Sequence, residues 1–240
     1  MTRPRRGLMQ AALPVLTALS LGGCALNRLN TGRELAQQAR PFSARPAAAV
    51  RSVLVVGDST AVGTGATLPE RSLPGLIAAA HLNWRIDNLA VNGARFIDVV
   101  KQLEGATGRH DLVLILAGGN DVIRLTGEAS LQGQIEQAVA LASRQADTVV
   151  VMPCGDVGHA PFFFAPWSWL MSSRSKRLHA QVADVATRTG SRYVRLLKPR
   201  ATDPFALDPV NMNAADGLHP SDLGYRQWYA ELQGQGGLAP

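Results

Sequence analysis

A chain of 240 residues, 46% of them hydrophobic and 18% charged, is long enough for one domain with a full core. The net charge of +6 first suggests nucleic acid as a partner, but three of the 24 basic residues are Arg3, Arg5 and Arg6 at the N-terminus. Without them 21 basic residues face 18 acidic ones, a net charge of +3, and no basic stripe with interleaved aromatics remains. Composition and charge therefore argue against a nucleic-acid-binding protein.

The N-terminus has the pattern of a targeting segment. Its basic residues precede an uncharged apolar stretch, Leu8 to Leu21, which is too short to span a bilayer comfortably. The stretch ends at Leu21-Gly22-Gly23-Cys24, which resembles the lipobox of bacterial lipoproteins, where a peptidase cuts before a cysteine that is then acylated. We therefore predict a signal peptide over residues 1–23 and an exported protein anchored to the cell envelope by lipid on Cys24. An ordinary secretory signal with a chance cysteine is the alternative.

The residues around the two cysteines refine this prediction. Ala25 rather than an aspartate follows Cys24, which by the same resemblance favours the periplasmic face of an outer membrane where the cell has one. The only other cysteine is Cys154, so acylation of Cys24 leaves no internal disulfide in the mature chain. Cys154 follows an apolar run, and we expect a buried thiol at a strand end.

Residues 24–50 are rich in Ala, Arg, Gln and Pro, and we predict a tether between lipid and domain, helical around Arg33–Arg40. From residue 51 to residue 240, strand and helix patterns alternate within one domain. The strand candidates are near-continuous apolar or β-branched runs, as expected for strands covered on both faces. They are Ser52–Val56, Trp84–Ala90, Leu112–Ala117, Thr148–Met152 and Arg192–Leu197. The helix candidates are Ser72–Leu82, Ala94–Glu104, Ala129–Gln145, Trp169–Thr189 and Ser221–Gln233.

This alternation predicts an α/β fold, a three-layer α/β/α sandwich in which a parallel five-stranded sheet lies between two helical layers. Two long connections interrupt the pattern, Gly155–Ser168 and Lys198–Leu218. Long loops in compact domains are usually functional or disordered.

Four short blocks follow the strands in a fixed order. Three of them come where an apolar run ends, and the fourth precedes the last predicted helix. They are Gly57-Asp58-Ser59, Asn92-Gly93, Gly118-Gly119-Asn120-Asp121 and Asp216-Gly217-Leu218-His219. Because α/β sheets build ligand sites at the carboxyl ends of parallel strands, we expect these blocks to meet.

Together the blocks hold the groups that acyl transfer to water requires. Ser59 would be the nucleophile, His219 the general base that takes its proton, and Asp216 the carboxylate that orients His219. The backbone N–H groups of Ser59 and Gly93 and the side-chain amide of Asn120 would form the oxyanion hole. Each block also has a purely structural interpretation, as a helix cap or a turn. Asp58 and Asp121 are expected to be structural carboxylates that accept hydrogen bonds from loop amides.

At these four blocks the chain resembles the SGNH (GDSL) hydrolase family of esterases, over roughly residues 50 to 235. The family's signature residues would be Ser59, Gly93, Asn120 and His219. The resemblance implies a flavodoxin-like strand order 2-1-3-4-5 and a serine esterase that needs no cofactor or metal. It also implies a small-molecule, lipid or glycan ester as substrate: an acetylated sugar, a lysophospholipid, a short acyl ester or a thioester. The alternative is a non-catalytic envelope lipoprotein that uses the same fold to bind a ligand.

Other motifs are weaker. Ser173-Arg174-Ser175-Lys176 fits the Ser-x-x-Lys pattern of penicillin-binding enzymes, but no Lys-Thr-Gly or Ser-Asp-Asn accompanies it. His159 is the one rival to His219, because it lies in the long connection after the fourth strand candidate.

That connection carries an unusual cluster of aromatic residues. It contains Phe162, Phe163, Phe164 and Trp167, with Trp169 just beyond, and its prolines would keep it out of a regular helix. Three roles stay open for this cluster. It could line the acyl side of the active site, fold back on the core, or dip into the lipid interface beside the anchor.

Overall fold

A five-stranded parallel sheet forms the centre of the fold. The computed structural model describes residues 26–239. The strands are β1 (Arg51–Gly57), β2 (Trp84–Asn88), β3 (His110–Leu116), β4 (Ala146–Val151) and β5 (Arg192–Tyr193). All neighbouring strands pair in parallel in the order β2-β1-β3-β4-β5. Both the α/β/α architecture and the 2-1-3-4-5 order are confirmed.

Helices surround the sheet on both faces. Residues 26–38 are helical and are called α1. The further helices are α2 (Ser59–Val62), α3 (Leu73–Ala80), α4 (Phe96–Gly105), α5 (Gly119–Ile123), α6 (Glu128–Gln145), α7 (Trp167–Thr189), α8 (Pro204–Leu207), α9 (Pro209–Met212) and α10 (Asp222–Gly234). Short 3-10 turns lie at Pro69–Arg71 and Val157–His159.

Alternation along the central strands divides the core into two halves. Leu54 and Val56 of β1 face the layer formed by α4, α6 and α7. Val53 and Val55 face the opposite layer, formed by α3 and α10. Because both faces are covered, β1 is apolar at consecutive positions, the pattern that identified it in the sequence.

The fifth strand is shorter than predicted. Only Arg192–Tyr193 joins the sheet, whereas the apolar run continues to Leu197. Beyond one further bond, from the backbone N–H of Val194 to the carbonyl oxygen of Val151, the chain leaves the ladder. β4 ends at Val151, and Pro153 just after it has no N–H to donate.

The segment before β1 contacts the domain at several points. The backbone groups of Ala44 and Ile86 exchange two hydrogen bonds of 3.0 and 2.8 Å, which adds an antiparallel bridge at the exposed edge of β2. The carbonyl oxygen of Ala36, in α1, accepts a 2.8 Å hydrogen bond from the side chain of Asn92. The predicted signal peptide and Cys24 lie outside the described residues. Among residues 26–239, no helix has the length and apolarity needed to cross a membrane.

Candidate active site

The carboxyl ends of the central strands and the loop before α10 enclose one cavity of about 210 Å³. Ser59, Gly93, Asn120 and His219 all line it. It lies where the strand order reverses between β1 and β3, the position at which open α/β sheets bind ligands. The structure therefore brings the four sequence blocks together.

Ser59 is the first residue of α2, directly after β1. Gly57 has a φ of +148°, and a Cβ there would lie 1.9 Å from the carbonyl oxygen of Leu116, so only glycine fits the close approach of β1 to β3. Asp58 caps α2 by accepting a 2.8 Å hydrogen bond from the backbone N–H of Thr60. Ser59 is only 8% exposed, and its hydroxyl is held at the cavity wall.

His219 connects Ser59 to a buried carboxylate. Its Nε2 lies 2.9 Å from Ser59 Oγ, and its Nδ1 lies 2.5 Å from Asp216 Oδ2. Asp216 Oδ1 accepts hydrogen bonds from the backbone N–H groups of Leu218 and His219. Asp216 stays ionised and holds the proton on Nδ1, which leaves Nε2 as the acceptor that faces the Ser59 hydroxyl.

The environment of Asp216 favours that charge. Burial acts to raise the pKa of Asp216, but hydrogen bonds from His219 and from two backbone N–H groups outweigh it. The pKa therefore lies below its usual value.

The candidate oxyanion donors lie on the next two strand ends. Gly93 has a φ of +79°, a conformation that residues with a side chain rarely adopt. The neighbouring Asn92 is fixed on both sides, since its amide donates to Ala36 and its carbonyl oxygen accepts from Thr64 Oγ1 at 2.7 Å. Asn120 lies in the first turn of α5, and within the described chain its side-chain amide has no hydrogen-bond partner. The amide of Asn120 is thus free to bind a ligand in the cavity.

Two further buried carboxylates support the loops. Asp58 binds the N–H and hydroxyl of Thr60, and Asp121 accepts from the backbone N–H of Phe96 at 3.0 Å. Burial raises the pKa of Asp58 to about 6 and also raises the pKa of Asp121. Both carboxylates therefore have the structural role expected from the sequence.

Sequence patterns did not reveal the support given by Gln102. Its side chain, on α4, accepts from the N–H of Gly57 at 2.7 Å and donates to the carbonyl oxygen of Gly57 at 2.9 Å. This pair of bonds fixes the backbone just before Ser59. No local signal could reveal it, because Gln102 lies 45 residues further along the chain, in the middle of a helix.

His159 does not join the pair formed by His219 and Ser59. Its Nδ1 lies 2.6 Å from Asp203 Oδ2, and its Nε2 lies 3.6 Å from Asp156 Oδ2. The contact with Asp203 joins the loop after β4 to the loop after β5, and the contact with Asp156 lies within the loop after β4. Both carboxylates line the cavity. Cys154 also lines the cavity, and burial raises the pKa of its thiol, so that it stays protonated.

The remaining cavity wall is largely apolar. It includes Ile123, Val157, Leu196, Phe205 and Trp228. Gly155, Asp156, Val157 and Ala160 contribute the early part of the long connection after β4, but the five aromatic residues that follow lie outside the lining. Of the three roles left open for the aromatic cluster, lining the acyl side of the cavity is the one that these five side chains do not take.

The comparisons with known proteins agree with this fold. No curated protein matches the chain. Among solved structures, LAE5, an alpha/beta hydrolase enzyme from the metagenome of Lake Arreo in Spain, is 18% identical with a TM-score of 0.62, covering 80% of this chain and 98% of its own. A catalytic mutant of Axe2, an acetylxylan esterase from Geobacillus stearothermophilus, is 19% identical with a TM-score of 0.61, covering 78% and 94%.

An extracellular lipase from Streptomyces rimosus is 22% identical with a TM-score of 0.55, covering 78% of this chain and all of its own. At these identities the structures show the fold alone. A family model, that of the GDSL-like lipase/acylhydrolase family, matches residues 55–227 and so spans all four motif blocks in full. The chain therefore belongs to the GDSL-like lipase/acylhydrolase family, the SGNH hydrolases that its motifs resemble.

Proposed function

We propose that this protein is a serine esterase that hydrolyses carboxylic esters through an acyl-enzyme on Ser59. The observation that carries the proposal is a continuous series of hydrogen bonds at the wall of a ligand-sized cavity. It runs from Asp216 Oδ2 to His219 Nδ1, at 2.5 Å, and from His219 Nε2 to Ser59 Oγ, at 2.9 Å. A protein that only bound a ligand would have no need of this arrangement.

The reaction follows from the geometry. Ser59 Oγ attacks the ester carbonyl carbon while its proton passes to His219 Nε2, and the charged imidazole is stabilised by Asp216. The oxygen of the tetrahedral intermediate accepts hydrogen bonds from the N–H groups of Ser59 and Gly93 and from the amide of Asn120. The C–O bond then breaks, and the leaving alcohol takes the proton from Nε2. Water, deprotonated by His219, attacks the acyl-enzyme and releases the acid.

The size and lining of the cavity suit the short acyl group of an ester substrate. Its volume of about 210 Å³ is small, and side chains such as Leu196, Phe205 and Trp228 give it an apolar lining. Each buried methylene group is worth about 0.8 kcal/mol. We therefore expect kcat/KM to rise with the length of the acyl chain until the cavity is full and then to fall. We propose acetyl and short acyl esters as substrates, a class that includes the esters implied by the names of acetylxylan esterase relatives.

The test combines a series of chromogenic esters from acetyl to dodecanoyl with labelling by a serine-reactive fluorophosphonate. Ser59→Ala should remove labelling and nearly all hydrolysis, because the members of the relay act as a unit. Ser173→Ala is the matched control, since Ser173 is an exposed serine on α7 and belongs to the competing Ser-x-x-Lys pattern. Hydrolysis by Ser59→Ala at the wild-type rate would refute the nucleophile assignment, and an inert wild-type protein would favour the ligand-binding alternative.

We also propose that the protein is exported and held at the cell envelope by lipid on Cys24. The support is the lipobox-like sequence Leu21-Gly22-Gly23-Cys24 after an apolar stretch. Cys24→Ser should abolish incorporation of a clickable fatty acid and release the protein from the membrane fraction or leave it as the uncleaved precursor. Fatty-acid label that persists on the Cys24→Ser protein would contradict the proposal.

A further inference from the structure

The aromatic residues after the cavity-lining part of the β4–α7 connection divide into an inner and an outer group. Phe163 packs against the core, and the rings of Phe162 and Phe163 contact each other edge-on with their centroids 5.0 Å apart. Phe164, Trp167, Trp169 and Leu170 instead point outward, and the two tryptophans are 60% and 71% exposed. These four residues are called the aromatic face. Large apolar side chains grouped in this way on a surface mark a site of interaction.

The beginning of α1 lies against the aromatic face. The Arg28 guanidinium lies 5.6 Å from the centroid of the Phe164 ring and donates a hydrogen bond to the carbonyl oxygen of Pro161. Leu26 and Leu29, one turn apart around Arg28, are also exposed. The structure therefore places the start of the described chain, close in sequence to Cys24, beside Phe164 of the aromatic face.

The sequence segments that carry this surface hold basic residues and no acidic ones. Residues 157–183, which include the aromatic face, contain no Asp or Glu but hold Arg174, Lys176 and Arg177, and residues 1–33 contain no Asp or Glu either. Arg177 pairs with Glu128, and Arg174 donates to the carbonyl oxygen of Thr126, whereas Lys176 has no ion-pair partner among residues 26–239. Tryptophan with nearby Lys and Arg is the composition that favours the boundary between lipid headgroups and acyl chains.

We propose that the aromatic face, together with Leu26 and Leu29, inserts into the headgroup region of a phospholipid bilayer and docks the domain on the membrane. The proposal rests on the anchoring proposed at Cys24 and adds a second membrane contact to it. Docking by this face also fixes the orientation of the candidate site. The backbone N–H of Phe162 donates to the carbonyl oxygen of Gly217, which lies between Asp216 and His219, at 2.9 Å. Phe162 lies two residues before Phe164, so this bond ties the segment that leads into the aromatic face to the loop of Asp216 and His219. Esters presented at the bilayer surface then become the accessible substrates.

The experiment uses the mature protein produced from the full chain, reconstituted with vesicles of phosphatidylcholine and phosphatidylglycerol. One vesicle set carries bromine atoms on the acyl chains near the headgroups, because bromine quenches tryptophan fluorescence only at short range. The chain has four tryptophans, so the double variant Trp167→Phe/Trp169→Phe is compared with the control Trp84→Phe. Trp84 starts β2, at the end of the strand opposite the candidate site.

Brominated vesicles should quench the emission of the wild-type protein and of Trp84→Phe strongly, and the double variant should lose most of that quenching. Equal emission in brominated and plain vesicles would overturn the proposal, and would favour another protein or a second copy of this chain as the occupant of the face. Quenching that persists in the double variant would also overturn it. Hydrolysis of a soluble ester, measured in the same samples, reports folding and the proposed activity separately from docking.

Discussion

Asn120 occupies an unusual position among the polar residues at the cavity. Other side chains there are held by partners, as His219 is by Asp216 and Asn92 is by Thr64. The amide of Asn120, by contrast, has no partner within residues 26–239. A polar group that is positioned but left unpaired is suited to a charge that appears only during the reaction.

We expect Asn120→Ala to lower kcat by roughly 10²- to 10³-fold with KM little changed, because one donor to the developing oxyanion is lost. Steady-state kinetics on a short acyl ester measures both constants. Asn211→Ala is the control, since Asn211 lies on α9 outside the cavity lining and its side chain binds Asp208. A large rise in KM at unchanged kcat would show instead that Asn120 binds the substrate in its ground state.

At the scale of elements, α1 is the part of the fold that bears most directly on the candidate site. Gly32 lies in α1, and a Cβ there would come within 3.2 Å of Asp216 Oδ2, the oxygen that binds His219 Nδ1. Ala36, one turn further on, lines the cavity. The helix thus closes the side of the catalytic loop that carries Asp216.

We expect Gly32→Ala to lower kcat about three- to tenfold without lowering stability. The new methyl group displaces Asp216 or α1 by a few tenths of an ångström, and a displacement of about 1 Å can cost about 10²-fold in rate. Alanine itself favours a helix by about 1 kcal/mol over glycine. Gly133→Ala on α6 is the matched control, because nothing lies within 4 Å of a Cβ there. Unchanged kcat in Gly32→Ala, with Tm raised as in the control, would show that α1 exerts no constraint on Asp216.

The sequence predicted the long elements better than the short ones. β1 was predicted as Ser52–Val56 and observed as Arg51–Gly57, because burial on both faces leaves a continuous apolar run. The short helices α2 and α5 were not predicted, since four or five residues carry no helical periodicity. Their capping residues Asp58 and Gly118 belong to the motif blocks, so the same residues that mark the site also start these helices.

At the scale of the whole molecule, the candidate site was predictable where its residues belong to local blocks at strand ends. The alternation of strands and helices predicts a parallel sheet, and a parallel sheet brings those ends to one edge. The contacts of Gln102 with Gly57 and of His159 with Asp203 were not predictable, because they depend on how distant segments pack. The contact of α1 with the Asp216 loop has the same origin, and nothing in the composition of residues 24–50 indicated it.

Buried histidine makes the stability of the whole domain depend on pH. His179 on α7 donates from Nε2 to the carbonyl oxygen of Cys154 at 2.7 Å, and its Nδ1 lies 2.5 Å from the Tyr193 hydroxyl. These bonds join α7 to the ends of β4 and β5. Burial lowers the pKa of His179 to about 4, so the folded state keeps the imidazole neutral at a pH where the unfolded chain is already protonated.

The sign of the effect follows from this difference. The stabilising contribution of neutral His179 is fully present above about pH 6.5, the unfolded pKa, and is lost as the pH falls through about 4. A shift of about 2.5 units corresponds to about 3 kcal/mol in the free energy of unfolding. Asp58 acts in the opposite sense, because its raised pKa of about 6 means that its contribution is lost as the pH rises. That contribution is common to wild type and a His179 variant and cancels in their difference.

We therefore expect His179→Gln to be less stable than the wild-type protein at pH 7.5, and the gap to narrow by about 2 to 3 kcal/mol at pH 4.5. Urea unfolding at several pH values measures the free energy of unfolding of both proteins. Tyr193→Phe is the control, because it removes a partner of His179 without removing the titrating group, and burial raises the pKa of Tyr193 to about 12, far above this range. The difference in the free energy of unfolding between Tyr193→Phe and the wild-type protein should stay nearly constant over this pH range. If the difference between His179→Gln and the wild-type protein also stayed constant with pH, the folded protein would accept a charged imidazole between α7 and the strand ends.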